Sequence, residues 1–131
     1  MRRLLLLLCA FLLAAPAAAQ EPEWRVAPEY DVLLRPWAFE PDPIRLEAGR
    51  PVKLRFVNQG QATHSFSAGE FFRDARIRAG ADAELLADGK LTLAPGERRT
   101  IALVPARGRY RARSGNFIHR LLGMSVEIIV E

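Results

Sequence analysis

The chain has 131 residues, 26% of them charged, with 19 basic and 15 acidic residues giving a net charge of +4. That length suits one small domain with a real core, and the charge is too mild for the dense basic character of a nucleic-acid binder. The single cysteine, Cys9, falls in the leader, so the remainder offers neither a disulfide nor a thiolate.

Residues 1–19 read as an export signal. Arg2 and Arg3 give the charged start, Leu4 to Leu13 the apolar centre and Ala17-Ala18-Ala19 a small-residue cleavage site. The apolar run is shorter than the ~20 residues that span a bilayer, so cleavage before Gln20 is expected rather than anchoring. Cys9 follows leucines, not the small residues of a lipoprotein signal. The expected product is a periplasmic domain, 20–131, with 17 basic and 15 acidic residues.

Glu21 to Tyr30 is polar with two prolines and reads as a lead-in, with Trp24 a candidate to dock on the body. Asp31 to Phe39 is a first strand interrupted at Pro36, which suits an edge or bulge. Pro41-Asp42-Pro43 and Ala48-Gly49-Arg50-Pro51 are turns around a short strand, Ile44 to Glu47. Val52 to Asn58 is the clearest strand, with Val52, Leu54 and Phe56 on one face and Lys53 and Arg55 on the other. His64, Phe66 and Ala68 alternate with Ser65 and Ser67 in the next.

Glu70 to Lys90 is ambiguous. Phe71, Phe72, Ala75 and Ile77 are candidates for the core, and Gly80 breaks the segment. Either Ala81 to Ala87 forms a short helix, or Asp88-Gly89 turns a hairpin between Glu84–Ala87 and Leu91–Leu93. Thr100 to Val104 is a strand. In Gly108 to Ser114, Tyr110, Ala112 and Ser114 share one face and Arg109, Arg111 and Arg113 the other. Val126, Ile128 and Val130 alternate in the last strand. Short strands with frequent turns imply an all-β sandwich or barrel.

These residues resemble a cupredoxin. The pattern Phe39-x-Pro41-x-x-Ile44-x-Leu46-x-Ala48-Gly49-x-x-Val52-x-Leu54-x-Phe56-x-Asn58, then His64-x-Phe66, is similar to that family's first half. Leu93-x-Pro95-Gly96-Glu97, then Gly108-x-Tyr110-x-Ala112-x-Ser114-x4-His119-x4-Met124, is similar to its second. The resemblance implies a cupredoxin-like Greek-key β-sandwich. It also implies one copper ion held by two histidines, a cysteine and a weak axial methionine. His64, His119 and Met124 match three of those four ligands, and Ser114 stands where the family has cysteine. A serine hydroxyl is a hard, neutral, weak ligand, so blue-copper electron transfer is not expected. A two-histidine, one-methionine site favouring Cu(I) is, for storage, transfer or sensing.

His64 and His119 are the only histidines, and Met124 is the only methionine after the leader. The competing reading is a metal-free module with inherited histidines that binds a protein partner, in the periplasm or at a membrane. Ser114 reads as a small inward group near the site; no oxyanion hole, nucleophile elbow or general base suggests an enzyme. Asn58 reads as a strand-ending turn residue and Glu70 as a solvated charge, each with a supporting role at the site as the alternative. The Arg109, Arg111, Arg113 ladder reads as a solvated face that discourages edge pairing, or as a surface that steers an acidic partner. Arg98, Arg99, Arg107 and Arg120 are candidates to lie near it. Phe117, Leu121 and Leu122 either surround the site as a docking surface or close the core end.

Overall fold

The computed structural model describes residues 20–116, 118, 121 and 123–131. Within them, ten strands form two five-stranded sheets that pack face to face. The first sheet has the order β2-β1-β4-β8-β6, from β1 (Glu29–Leu34), β2 (Phe39–Glu40), β4 (Val52–Asn58), β6 (Arg76–Ile77) and β8 (Arg98–Val104). The second has the order β3-β10-β9-β5-β7, from β3 (Ile44–Leu46), β5 (His64–Ser67), β7 (Lys90–Leu93), β9 (Gly108–Ser114) and β10 (Ser125–Val130). The expected all-β sandwich is therefore observed. Among the described residues no helix is long and apolar enough to cross a membrane.

Alternation builds both sheets. In β4 every second side chain from Val52 to Asn58 is buried, and in β9 Tyr110, Ala112 and Ser114 are buried while the arginines between them are exposed. The inward faces meet around Phe66, whose ring lies 5.3 Å from Phe39, 5.0 Å from Phe56 and 6.2 Å from Phe72. Edge-on and tilted rings at these separations add to the area they bury. Tyr110 donates its phenol hydrogen to the Ala106 carbonyl (3.0 Å), which pins the turn entering β9.

The expected first strand is split: β1 ends at Leu34 and the chain returns at Phe39 as β2, antiparallel to it. Pro36 cannot donate to a ladder, so the break falls there. Residues 70–90 hold two short helices rather than one, α1 (Gly69–Asp74) and α2 (Ala81–Leu85). Helices this short are unstable alone. Burial of Phe71 and Phe72 holds α1 in place. In α2, buried Asp82 accepts the Ala102 N–H (3.1 Å) and pairs with Arg78 (2.9 Å). It thus occupies a donor of β8 where β6 has ended.

The hairpin at Asp88-Gly89 is not formed. Gly89 instead closes the turn after α2 by donating to the Leu86 carbonyl (2.8 Å), and its own carbonyl accepts the Ala68 N–H (3.0 Å). A side chain there would sit 2.7 Å from the Gly69 Cα, and φ is +72°, so glycine meets both a close approach and a left-handed backbone.

Candidate functional site

One end of the sandwich gathers the residues singled out above. His64 opens β5 with its side chain on the same inward face as Phe66. Phe66 is the register partner of Ser114, at the end of β9. The β9–β10 register pairs Arg113 with Ser125 and Ala112 with Val126, so it sets Met124 across from Ser114. The Ser114 N–H donates to the Met124 carbonyl (3.2 Å). All three side chains are inside: His64 is 3% exposed, Ser114 1% and Met124 2%. On the inner face Ser114 is flanked by Phe66 and Met124, and His64 is its diagonal neighbour, a relation of about 7–8 Å between strands. His119 lies outside the described residues, as do Phe117, Arg120 and Leu122.

Two neighbours position His64. Asn58, fully buried at the end of β4, donates from its amide to the carbonyls of Ala62 (2.8 Å), Leu93 (3.0 Å) and Ala94 (3.1 Å). Its Oδ1 accepts the Gly60 N–H (2.9 Å). Its reading as a turn residue holds, and it also ties the loop before His64 to the far end of β7. Gly60 then lies against the imidazole: a Cβ there would be 2.9 Å from Nε2 and 3.1 Å from Cδ2. The ring's Nε2 edge therefore rests on bare backbone, and its Nδ1 is shielded from solvent.

Ser114 Oγ accepts the Asn116 N–H (3.3 Å), which turns the chain as it leaves β9. That bond employs the hydroxyl in a local turn. Glu70 is exposed in the first turn of α1, in keeping with a solvated charge. No three His, Cys, Asp or Glu side chains cluster as a metal site among the described residues. The side chains at this end that could ligate a metal are instead an imidazole, His64, and a thioether, Met124.

Two clefts reach the site. One, of about 460 Å³, is walled by Trp37 and the Gln59–Ala62 loop and has His64 in its lining. Trp37 is 59% exposed. The sequence reading passed over it, although an aromatic beside the strand-breaking Pro36 was a usable signal. The other, of about 280 Å³, is lined by Arg111, Arg113, Met124 and Ser125. Leu121 itself is exposed and does not close the core.

Residues 3–115 match the cupredoxin-like domain family. The chain belongs to that family. The match takes in His64 and Ser114 and ends before His119 and Met124. No curated protein sequence matches this cupredoxin-like chain. Among solved structures it is similar to auracyanin B, at 23% identity and a TM-score of 0.56 over 87% of this chain and 93% of that one. Auracyanin A of Chloroflexus aurantiacus, described as a "blue" copper protein, aligns at 17% identity with a TM-score of 0.55, over 80% of this chain and all of that one. A multicopper oxidase from Campylobacter jejuni aligns at 9% identity with a TM-score of 0.60, over 87% of this chain but only 31% of the oxidase. At these identities the likeness is one of fold.

The arginine ladder sits differently from one expectation. β9 is the middle strand of its sheet, with β10 on one side and β5 on the other. Arg109, Arg111 and Arg113 therefore guard no edge. Arg98 and Arg99 are on β8 in the opposite sheet, not near the ladder.

Proposed function

We propose that this is an exported, periplasmic protein, cleaved near Gln20, that binds one copper ion through His64, His119 and Met124 and handles copper rather than carrying electrons. One observation carries the reading: the only methionine beyond the leader is buried directly across from Ser114, on the inner face that also holds His64. A thioether and imidazoles would hold Cu(I) in preference to hard cations. Gly60 and Asn58 would keep the His64 ring in place, as supporting residues do at metal centres. Ser114 adds no thiolate, so the intense charge-transfer colour and the electron path of a blue site are not expected. The bound ion would supply reversible soft-metal capture, suited to storage, transfer or sensing.

The test is titration of the metal-free protein with copper, first under reducing and then under oxidising conditions, against a competing chelator. Tight one-to-one Cu(I) binding without an intense blue band is expected, and His64→Ala weakens it. Absence of binding in both states would refute the proposal and leave the histidines as packing residues. Ser114→Cys is a positive control for the geometry: a thiolate placed there is expected to turn the Cu(II) form intensely blue. A second reading, a metal-free module that docks on a protein, draws support from the charge distribution over the second sheet.

A further inference from the structure

The two outer sheet faces are charged in different ways. On the first sheet Arg55 bonds Asp31 (2.7 Å) and Glu29 (3.3 Å), Lys53 lies 3.8 Å from Glu29 and Arg76 meets Glu21. Cations there are mostly matched by carboxylates. On the second sheet the outward strand positions carry Arg45, Arg109, Arg111, Arg113 and Lys90 against one carboxylate, Glu127. Glu127 is taken by Arg109 (2.9 Å). Arg111 leans on the Ser125 hydroxyl (3.0 Å), which steadies the guanidinium without neutralising it.

The register gathers the remainder. Ser67 pairs with Lys90 on one side and Arg113 on the other, and Arg113 pairs with Ser125. Lys90 and Arg113 thus stand two strands apart in one row, roughly 10 Å, and Arg111 is one pleat, about 7 Å, from Arg113. These spacings are close to the Debye length of about 8 Å at physiological salt, so the potentials add. Like charges so close cost stability in the isolated molecule. A face meant only to be solvated is served by mixed charges, as the first sheet is, and β9 has no edge to guard.

We propose that the outer face of the second sheet, centred on Arg111 and Arg113, docks an acidic surface of a protein partner. The cleft of about 280 Å³ beside those two arginines has room for an acidic side chain, and guanidinium forks match carboxylates in geometry. Met124 also contributes to the wall of this cleft, just before β10 begins. A protein suits this face better than a lipid bilayer. Strands twist by about 20–25° each, so Lys90 and Arg45, on the two outermost strands, are turned roughly 80–100° apart and cannot lie on one plane. The exposed large apolar side chains among the described residues (Val26, Trp37, Leu85, Ile118 and Leu121) all lie off these strands, leaving nothing on the face to insert into lipid.

The inference stands apart from metal binding and is tested without it. Metal-free, isotopically labelled protein is titrated with a short poly-glutamate peptide and followed by amide NMR shifts at two salt concentrations. Shifts are expected on β7, β9 and β10, with affinity falling as salt rises. Arg111→Glu with Arg113→Glu weakens binding by about tenfold or more, while Arg25→Glu with Arg98→Glu, an equal charge change off the face, costs less than about threefold. All four positions are exposed, and circular dichroism checks that each variant is folded. Equal losses from the two pairs overturn the inference, since net charge alone would then explain binding. So does binding to phosphatidylglycerol vesicles with none to the peptide.

Discussion

Replacing Asn58 tests whether the site end is built by one side chain. Its amide has two hydrogens for three carbonyls, and Oδ1 holds the Gly60 N–H, so about three independent bonds are lost in Asn58→Ala. A hydrogen bond is worth about 1 kcal/mol net, and a buried group left unpaired costs about 1–3 kcal/mol. Asn58 and Gly60 are both buried, so the loss is expected to be about 3–5 kcal/mol. Unfolding entropy of about 2 cal/mol/K per residue converts this to a fall in Tm of roughly 12–20 °C. Asn58→Asp separates the donors from the acceptor. It keeps an oxygen for Gly60 but aims a carboxylate at three carbonyl oxygens, so at neutral pH it is at least as damaging as alanine. Burial raises the folded pKa of such a carboxyl above its unfolded value. Its favourable contribution therefore belongs to low pH, and the gap to wild type narrows on acidification. The assay is thermal unfolding by circular dichroism across pH. A fall of less than about 3 °C for Asn58→Ala (under 1 kcal/mol), or an aspartate milder than alanine at pH 7, would refute the account.

Other substitutions probe the same framework. Gly60→Ala drives a methyl to 2.9 Å from His64 Nε2, so copper affinity is expected to fall by about tenfold or more, beyond what a modest loss of Tm explains; an unchanged chelator competition would count against positioning by Gly60. Phe66→Ala removes the ring shared by Phe39, Phe56 and Phe72 and is expected to cost about 3–5 kcal/mol in urea unfolding, a large part of a small domain's stability. The Arg55 guanidinium hydrogen-bonded to Asp31 holds that carboxyl below its ordinary range, and the Ala94 N–H, then Arg99, does the same for Glu97. With folded values depressed, both groups contribute stability above the unfolded carboxylate range near pH ~4 and lose it as pH falls through the folded values. Asp31→Asn with Glu97→Gln should therefore flatten the acid limb of a Tm-against-pH curve, and an unaltered limb would assign acid unfolding to other groups.

The strands were legible where one face is buried and the other wet. β4, β9 and β10 declare themselves by a two-residue period because their inner positions must be apolar or small. Residues 69–89 were not legible, because each element there is shorter than the window that reveals a period. α1 exists because Phe71 and Phe72 find the core, and α2 because Asp82 finds an unpaired strand donor; neither reason is local. Asp88-Gly89 carries a sound hairpin signal, but Gly89 is claimed by its approach to Gly69, a contact set by tertiary packing. The arginine ladder shows a similar limit. Alternation told which face the arginines share, but only the strand order told that β9 is central and that an edge-guarding role cannot apply.

The site divides along the same line. That His64, Ser114 and Met124 point inward follows from alternation and from their place at strand ends. That Met124 lands opposite Ser114 needs the β9–β10 register, which a loop of unknown path cannot supply in advance. The turn chemistry of Asn58 was readable from its neighbours, whereas its bonds to the Leu93 and Ala94 carbonyls cross 35 and 36 residues. Gly60 had no signal at all until the imidazole lay against it. Candidate ligands are thus legible in composition here, while their positioning is a property of the fold. The Ser114 hydroxyl serves a local turn, whereas Asn58 and Gly60 act on the loop and backbone around His64. The approach of Gly60 to the imidazole constrains the ring whatever side chain stands at position 114. That contact makes His64, rather than Ser114, the residue on which the copper proposal turns.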